Sequence, residues 1–334
     1  MGLLLPAVNS ARESARRLQC CNNLKQIALA VIAYQSAQEA FPPGTTNTNA
    51  GEIQQAKSMK PHWVILCMPQ MDLGPLADEF TALLDSNGGN HYVTDDSLSV
   101  SYNGHTIIMK ELRQREISFF KCPSDIFTKT HYMRSNIGWA RGCYGANMGG
   151  SHITYLTNPS HAWTWNNQYF KGIMGPGLSV TMEEIVDGAS NTVLIGEIRA
   201  GIDPVDPRGT WAMGGPCSSG IAGAGCGNGA GNFDDRGPNC LVANSDDVLS
   251  CGSIQSKMGG NIELIRLKMP CTGSGNDEMT MRSLHAGGVH AAFADGSAHW
   301  LSDNIQIGTG FNTFGVWDCM LISNDKKSFS GEGY

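Results

Sequence analysis

Three histidines, His285, His290 and His299, stand close to Asp295 near the end of the chain. A histidine beside an aspartate can exchange a proton, and clustered histidines can hold a metal ion. His285, however, precedes the Asp295-Gly296 pair by a strand's length, and direct contact would need the chain to fold back. Asp295 is sufficiently explained as a turn residue, so a structural role for His285, Asp295 and Gly296 is preferred over catalysis or metal binding.

The other chemistry-bearing residues lead to similar choices. Eleven cysteines fall largely in glycine-rich, loop-like sequence. There is no CxxC spacing and no histidine among Cys217, Cys226, Cys240 and Cys251. Disulfides of an exported protein therefore explain them better than zinc, and the odd count leaves a thiol unpaired or paired to another chain. Asp234-Asp235 and Asp246-Asp247 lie in polar loops, where calcium is conceivable and solvated carboxylates are the simpler reading. Trp163 and Trp165 suit core or edge packing better than a sugar platform. No GxSxG, HExxH, P-loop or EF-hand pattern occurs, and the glycines of residues 223–231 neither follow a strand nor open a helix. No catalytic or cofactor-binding residue is assigned, and no cofactor is expected beyond the weak option of structural calcium.

Two elements must position whatever these residues do. Residues 289–302 read as a hairpin, with Asp295-Gly296 as a two-residue type I′ turn. That register puts Val289, Ala291, Phe293, Ala298 and Trp300 on the core face, and His290, Ala292, Ala294 and His299 on the other. The second element is a helix over residues 3–41. Leu4, Val8, Ala11, Ala15, Leu18, Cys21, Leu24, Ala28, Val31 and Tyr34 recur in steps of three and four, a single apolar seam. Arg12, Glu13, Arg16, Arg17, Lys25 and Gln26 mostly fill the other side. Pro6 marks a kink or loosened turn. Such a helix is roughly 55 Å long, so part of it should project or pack on something outside this chain. Residues 3–8 are too few to cross a bilayer, which takes about 20 apolar residues. They read as the tail of a longer apolar helix, so the natural precursor is expected to be longer.

The remaining chain reads as a head over residues 42–334. Pro42, Pro43 and Gly44 stop the helix. Residues 45–60 look like a surface loop, 62–71 like core and 73–84 like a helix. Residues 117–122 suggest a buried strand and 192–198 another, with Gly196 at a bulge or close approach. Residues 214–232 form a long glycine-rich insertion. With 334 residues, 41 glycines, 41% hydrophobic and 16% charged residues, the composition suits a loop-rich, mostly β body. A net charge of −7 and a pI near 5.7 argue against a nucleic-acid partner. The short basic cluster from Arg12 to Arg17 is better placed for lipid headgroups or acidic neighbours.

Several stretches together resemble a known family. AREsARR with Cys20, then Asn22-Asn23-Leu24-Lys25-Gln26 and Phe41-Pro42-Pro43-Gly44, is similar to the start of the DUF1559 proteins. These are pilin-like proteins abundant in planctomycetes. Cys122-Pro123-Ser124-Asp125, Tyr144-Gly145-Ala146-Asn147, Asp187-Gly188-Ala189-Ser190-Asn191-Thr192, Arg208-Gly209-Thr210-Trp211 and a closing His285-x9-Asp295-Gly296 follow in the family's order. The family's prepilin-type processing segment is missing. The resemblance implies an α+β, pilin-like fold, with a long N-terminal helix on an antiparallel sheet head with disulfide-pinned loops. It also implies a Cys20–Cys122 disulfide tying helix to head. Cys217 with Cys226 and Cys240 with Cys251 are sequence-local guesses for loop staples, although spacing alone does not give connectivity.

The function expected is a non-catalytic subunit of an extracellular or periplasmic pilin- or pseudopilin-like filament, of the type IV pilus or type II secretion kind. Its partners would be copies of itself or related subunits along the seam Leu4, Val8, Ala11, Ala15, Leu18, Leu24, Ala28 and Val31, and the inner membrane for the full-length precursor. The alternative is a membrane-anchored cell-surface module binding a solute or polysaccharide, with an aromatic-lined pocket near Trp163 or Trp211.

Overall fold

The computed structural model describes residues 4–49, 51–52, 58–89, 91–161, 164–215, 217–222, 226–227, 232–233, 237–242, 245–273, 278–308 and 314–326. Helix α1, Leu4–Gln38, runs unbroken for 35 residues. It ends where Glu39 takes a left-handed φ of 63° and Pro42 and Pro43 deny further amide donors. Two further helices follow, α2 (Trp63–Cys67) and α3 (Gly74–Leu84), and α3 buries Leu76, Ala77, Phe80 and Leu83 at helical spacing. Among the described residues, no helix is long and apolar enough to cross a membrane.

The apolar seam of α1 is split by the structure. Cys20, Leu24, Ile27, Ala28, Ala30 and Val31 are buried against the head, while Val8, Ala11, Ala15 and Leu18 face solvent. The cause lies in the spacing. Two successive steps of three, Leu18 to Cys21 to Leu24, each fall short of a full turn, so the stripe moves about 120° round the helix. Its outer and inner halves therefore occupy different sides. The side chain of Leu4 lies outside the described residues.

The sheet that receives α1 has five strands: β1 (Tyr144–Asn147), β2 (Val193–Glu197), β3 (Gly220–Ile221), β4 (Gly288–Phe293) and β5 (Ala298–Ser302). Their spatial order is β5-β4-β2-β1-β3, antiparallel except for the parallel β1–β3 pair, so the sheet is mixed. Every residue of β1, β2 and β4 is buried. The reason is that both faces are covered. One carries α1 with Trp63 and Phe80. The other packs on α4 (Cys251–Met258), α5 (Asn261–Arg266) and α6 (Val316–Leu321) through Val289, Ala291, Phe293 and Leu301. At Gly196 a side chain would collide with buried Met281, so this glycine marks a close approach. The nearby register shift falls between Ala292 and Phe293 on β4.

The hairpin differs from its expected register by one residue. Ala292 pairs with Ala298, Ala291 with His299, His290 with Trp300 and Val289 with Leu301. The Phe293 N–H donates to Ser297 O and the Gly296 N–H to Phe293 O, a three-residue loop with only Gly296 left-handed, at φ 85°. Because Asp295 avoids positive φ, the turn is not type I′. The shift moves Ala298 and Trp300 away from the Val289 face and puts Trp300 beside His290, on the side that meets α1.

Other expectations are corrected locally. Residues 117–122 form a 3-10 turn at Ser118–Phe120 instead of a strand, because the chain must turn there to bring Cys122 back onto α1. Within residues 45–60, Thr45 and Asn47 are buried, and the Asn47 amide donates to Glu52 Oε2 and Ser58 O. Trp165 is buried in the core, and Trp163 lies outside the described residues, as do Asp234 and Asp235. Cys251 is bonded to Cys271, not Cys240, because the turn between α4 and α5 folds Cys271 back against the start of α4, and Cys240 is a free thiol. The Cys217 guess rests on Cys226, whose side chain lies outside the described residues.

Cys20 and Cys122 form a disulfide across 102 residues. Removing a crosslink between such distant positions frees a large unfolded ensemble. The double variant Cys20→Ser, Cys122→Ser should lose about 2–5 kcal/mol in denaturant unfolding, and more than Cys251→Ser with Cys271→Ser, which opens a separation of only 20.

Candidate functional site

Three of the landmarks scattered along the sequence, the helix cysteine, the Cys-Pro-Ser-Asp turn and His285, meet at one buried place beneath α1. Helix α1 supplies Glu13, Arg17 and Cys20. The Cys-Pro-Ser-Asp turn supplies Cys122 and Ser124, the end of β2 supplies Glu197, and the approach to β4 supplies His285. His285 is 1% exposed, with Nδ1 2.7 Å from Glu13 Oε1, Nε2 3.5 Å from Cys122 Sγ and 3.6 Å from Glu197 Oε1. With its proton on Nδ1, the ring donates to Glu13 and turns its Nε2 lone pair toward the sulfur and Glu197.

Each member is held from behind. The Ser124 hydroxyl donates to Glu13, and Arg16 pairs with the same carboxylate at 2.7 Å. The Tyr144 hydroxyl donates to Cys20 O, fixing the helix at the disulfide. The His285 N–H donates to Ser283 Oγ, and the Ser283 N–H to Asn239 Oδ1. Glu197 Oε2 accepts the backbone N–H of His290 at 2.8 Å, leaving Oε1 toward the cluster and 3.3 Å from His290 Nδ1. Beside it the Arg17 guanidinium lies 3.3 Å from the Trp300 ring centre, a cation–π contact that the corrected hairpin register makes possible.

His285 and Asp295 do not meet. Asp295 Oδ1 accepts the Ser297 N–H within its own turn, and the Asp295 N–H donates to Ala189 O. A side chain at Gly296 would press on Leu29 and Ile32 of α1. The two ends of the His-x9-Asp-Gly stretch thus touch α1 at Glu13 and at Leu29–Ile32. Roughly 28 Å of helix separates these points, comparable to roughly 30 Å of strand and turn. The spacing reads as the length of the cradle under the helix.

Burial acts to raise the Glu13 pKa, but hydrogen bonds from His285, Arg16 and Ser124 together outweigh it and hold the carboxyl below its ordinary 4.5. At Cys21, burial first and then the charge of Glu197 push the thiol up, so this neighbour of the disulfide stays protonated.

A second cluster is electrostatic. Asp246 and Asp247, expected in solvated loops, are buried. Asp246 bonds Arg208 Nη1 and Arg282 Nε, both at 2.8 Å, and Arg208 also bonds Asp206 at 2.8 Å. Arg141 donates to the carbonyls of Thr130, Asp203, Asp206 and Arg208. Burial pulls the Asp206 pKa upward, yet Arg208 and Arg141 hold it below the ordinary value. The loop carboxylates are internal because these arginines are, and the arrangement is a fully paired support for the loops around β2.

A long helix clamped across a mixed sheet by a disulfide and a histidine–carboxylate pair defines an α+β protein. The family described as a protein of unknown function, DUF1559, matches residues 9–308, and the chain belongs to it. No curated protein and no solved structure matches it. Glu13 and Glu197 were not singled out as site residues from the sequence. The one available signal was an acid isolated among the arginines of residues 12–17, and for Glu197 there was none.

Because the Glu13 pKa is depressed, its contribution is complete above the unfolded value of 4.5 and is lost as pH falls through the lower folded value. Glu13 is 38% exposed, so Glu13→Gln should cost only about 1 kcal/mol or less at neutral pH. Urea unfolding across an acid pH series should show this difference shrinking below 4.5; a difference constant to the most acid pH would mean that the contact is not ionic.

Proposed function

We propose that this chain is a non-catalytic structural subunit that assembles with copies of itself or related subunits through α1, in a pilin- or pseudopilin-like filament at the cell surface or in the periplasm. One observation carries this reading: α1 has two apolar sides, and the head uses only one. The other presents Val8 at 45% and Leu18 at 62% exposure, with Ala11 and Ala15 between them. Helices bury such stripes against other helices. A groove of about 580 Å³ between the helix and the head is lined by Leu29, Ala33, Met71, Leu73 and Phe119 together with Gln26, Gln70 and Asp72. The disulfide and the Glu13–His285 contact support the same reading, since a helix that carries load between subunits needs a firm hold on its own head.

The surface-binding alternative draws less support. Trp211 is 1% exposed, packs on Phe80 and Phe120, and donates its indole N–H to Arg115 O, so it offers no face to a ligand. Membrane association before assembly and the absence of a nucleic-acid partner belong to the same proposal, the latter resting on the net charge of −7.

Substituting Val8→Glu with Leu18→Glu should abolish filaments seen by electron microscopy of cells expressing the full-length protein. The thermal midpoint of the purified chain should stay unchanged, because both side chains are exposed. Filaments that persist in the double variant would overturn assembly through this stripe.

A further inference from the structure

The disulfide at the centre of the cluster occupies only part of what its surroundings are built to hold. Cys20 Sγ, Cys122 Sγ, His285 Nε2 and a Glu197 carboxylate oxygen all lie within 4.8 Å of one another, and all four residues are buried. We propose that the dithiol form of this chain binds one zinc-class divalent cation through these four atoms. The bonded form and the metal form are alternatives at one site, and both fasten α1 to the head.

The distances favour this over hydrogen bonding alone. His285 Nε2 is 3.6 Å from Glu197 Oε1, too long for a hydrogen bond, and 3.5 Å from Cys122 Sγ. A tetrahedral ion with bonds of about 2.0–2.3 Å sets its ligands about 3.3–3.8 Å apart, which brackets both separations. The donor set is two sulfurs, one imidazole and one carboxylate, which suits zinc and not calcium or magnesium.

The supporting contacts have the form that metal ligands require. Glu13 receives the Nδ1 proton of His285 at 2.7 Å, which leaves Nε2 free to coordinate. The His290 N–H holds Glu197 Oε2 at 2.8 Å and aims Oε1 inward. A cavity of about 10 Å³ borders Cys122 and Glu197, with Arg199 and Arg282 on its wall. It gives the Cys122 sulfur room to part from Cys20.

Loading of the dithiol balances without a further reagent. Two S–H bonds break, two metal–sulfur bonds form and two protons leave to solvent. Conversion to the disulfide removes two electrons from the thiolates. A disulfide-class oxidant takes them and, with two protons from solvent, becomes two thiols, while the S–S bond forms and the cation departs.

The test is a cobalt(II) titration of the full chain, kept reduced by a phosphine and free of chelators. The expected result is one equivalent bound, with the visible bands of four-coordinate cobalt, thiolate-to-cobalt charge transfer in the near ultraviolet, and displacement by zinc. Cys20→Ser with Cys122→Ser should remove the charge transfer. Glu13→Gln, on a partly exposed helix surface, should keep the fold and weaken zinc binding about 10–100-fold. A reduced chain with native circular dichroism that takes up no cobalt overturns the proposal. So does charge transfer that survives in the double serine variant, or a reduced chain that is unfolded and that zinc does not restore. Zinc binding unchanged by Glu13→Gln would remove Glu13 as the positioning residue.

Discussion

The docking of α1 onto the sheet is the contact on which the rest of the molecule depends. Six of its residues from Cys20 to Val31 are buried in the same core as Trp63, Phe80 and Tyr144, so the helix belongs to the head over that stretch. Burial of an apolar face is non-directional and does not fix where along its axis a helix sits. Three specific contacts supply that register. The Cys20–Cys122 bond pins one point, Glu13 on His285 a second, and the close approach of Gly296 to Leu29 and Ile32 a third. Each joins residues far apart in the chain, up to 272 positions for Glu13 and His285, so none can form before the fold has closed.

The sheet beneath is shaped by being covered twice. With α1 on one face and α4, α5 and α6 on the other, β1, β2 and β4 have no solvent side, which is why residues 192–198 read as a continuous apolar run and not as an alternation. The loops around such a sheet must fold inward, and they carry Asp206, Arg208, Asp246 and Arg282 into the interior as a mutually satisfied set. Removing one partner would leave an uncompensated buried charge, a cost of several kcal/mol, about 3–5 in comparable cases.

Several separate stretches of the chain converge in the same way. A cysteine in a helix, a turn, a strand ending in glutamate and a histidine before a hairpin are unrelated as sequence. In space they surround a single buried volume under the helix.

Much of this was legible in the residues alone. The long helix follows from the absence of glycine and the spacing of its apolar residues, its end from Pro42 and Pro43, and the hairpin from Asp295-Gly296 between apolar runs, because these are local preferences of the backbone. Family membership was legible because its landmarks keep their order. The split of the apolar seam was also present in the two steps of three after Leu18, but periodicity does not say which side a head will claim. The hairpin register needed tertiary structure, since an Asp-Gly pair suits both a two-residue and a three-residue loop, and packing of Trp300 against Arg17 goes with the observed one. Asp246 reads as a solvated loop acid until Arg208 and Arg282 are seen buried beside it. Glu13 and Glu197 acquire their roles only from neighbours hundreds or tens of residues away, and a sequence records the identity of a carboxylate but not what the fold places within 4 Å of it.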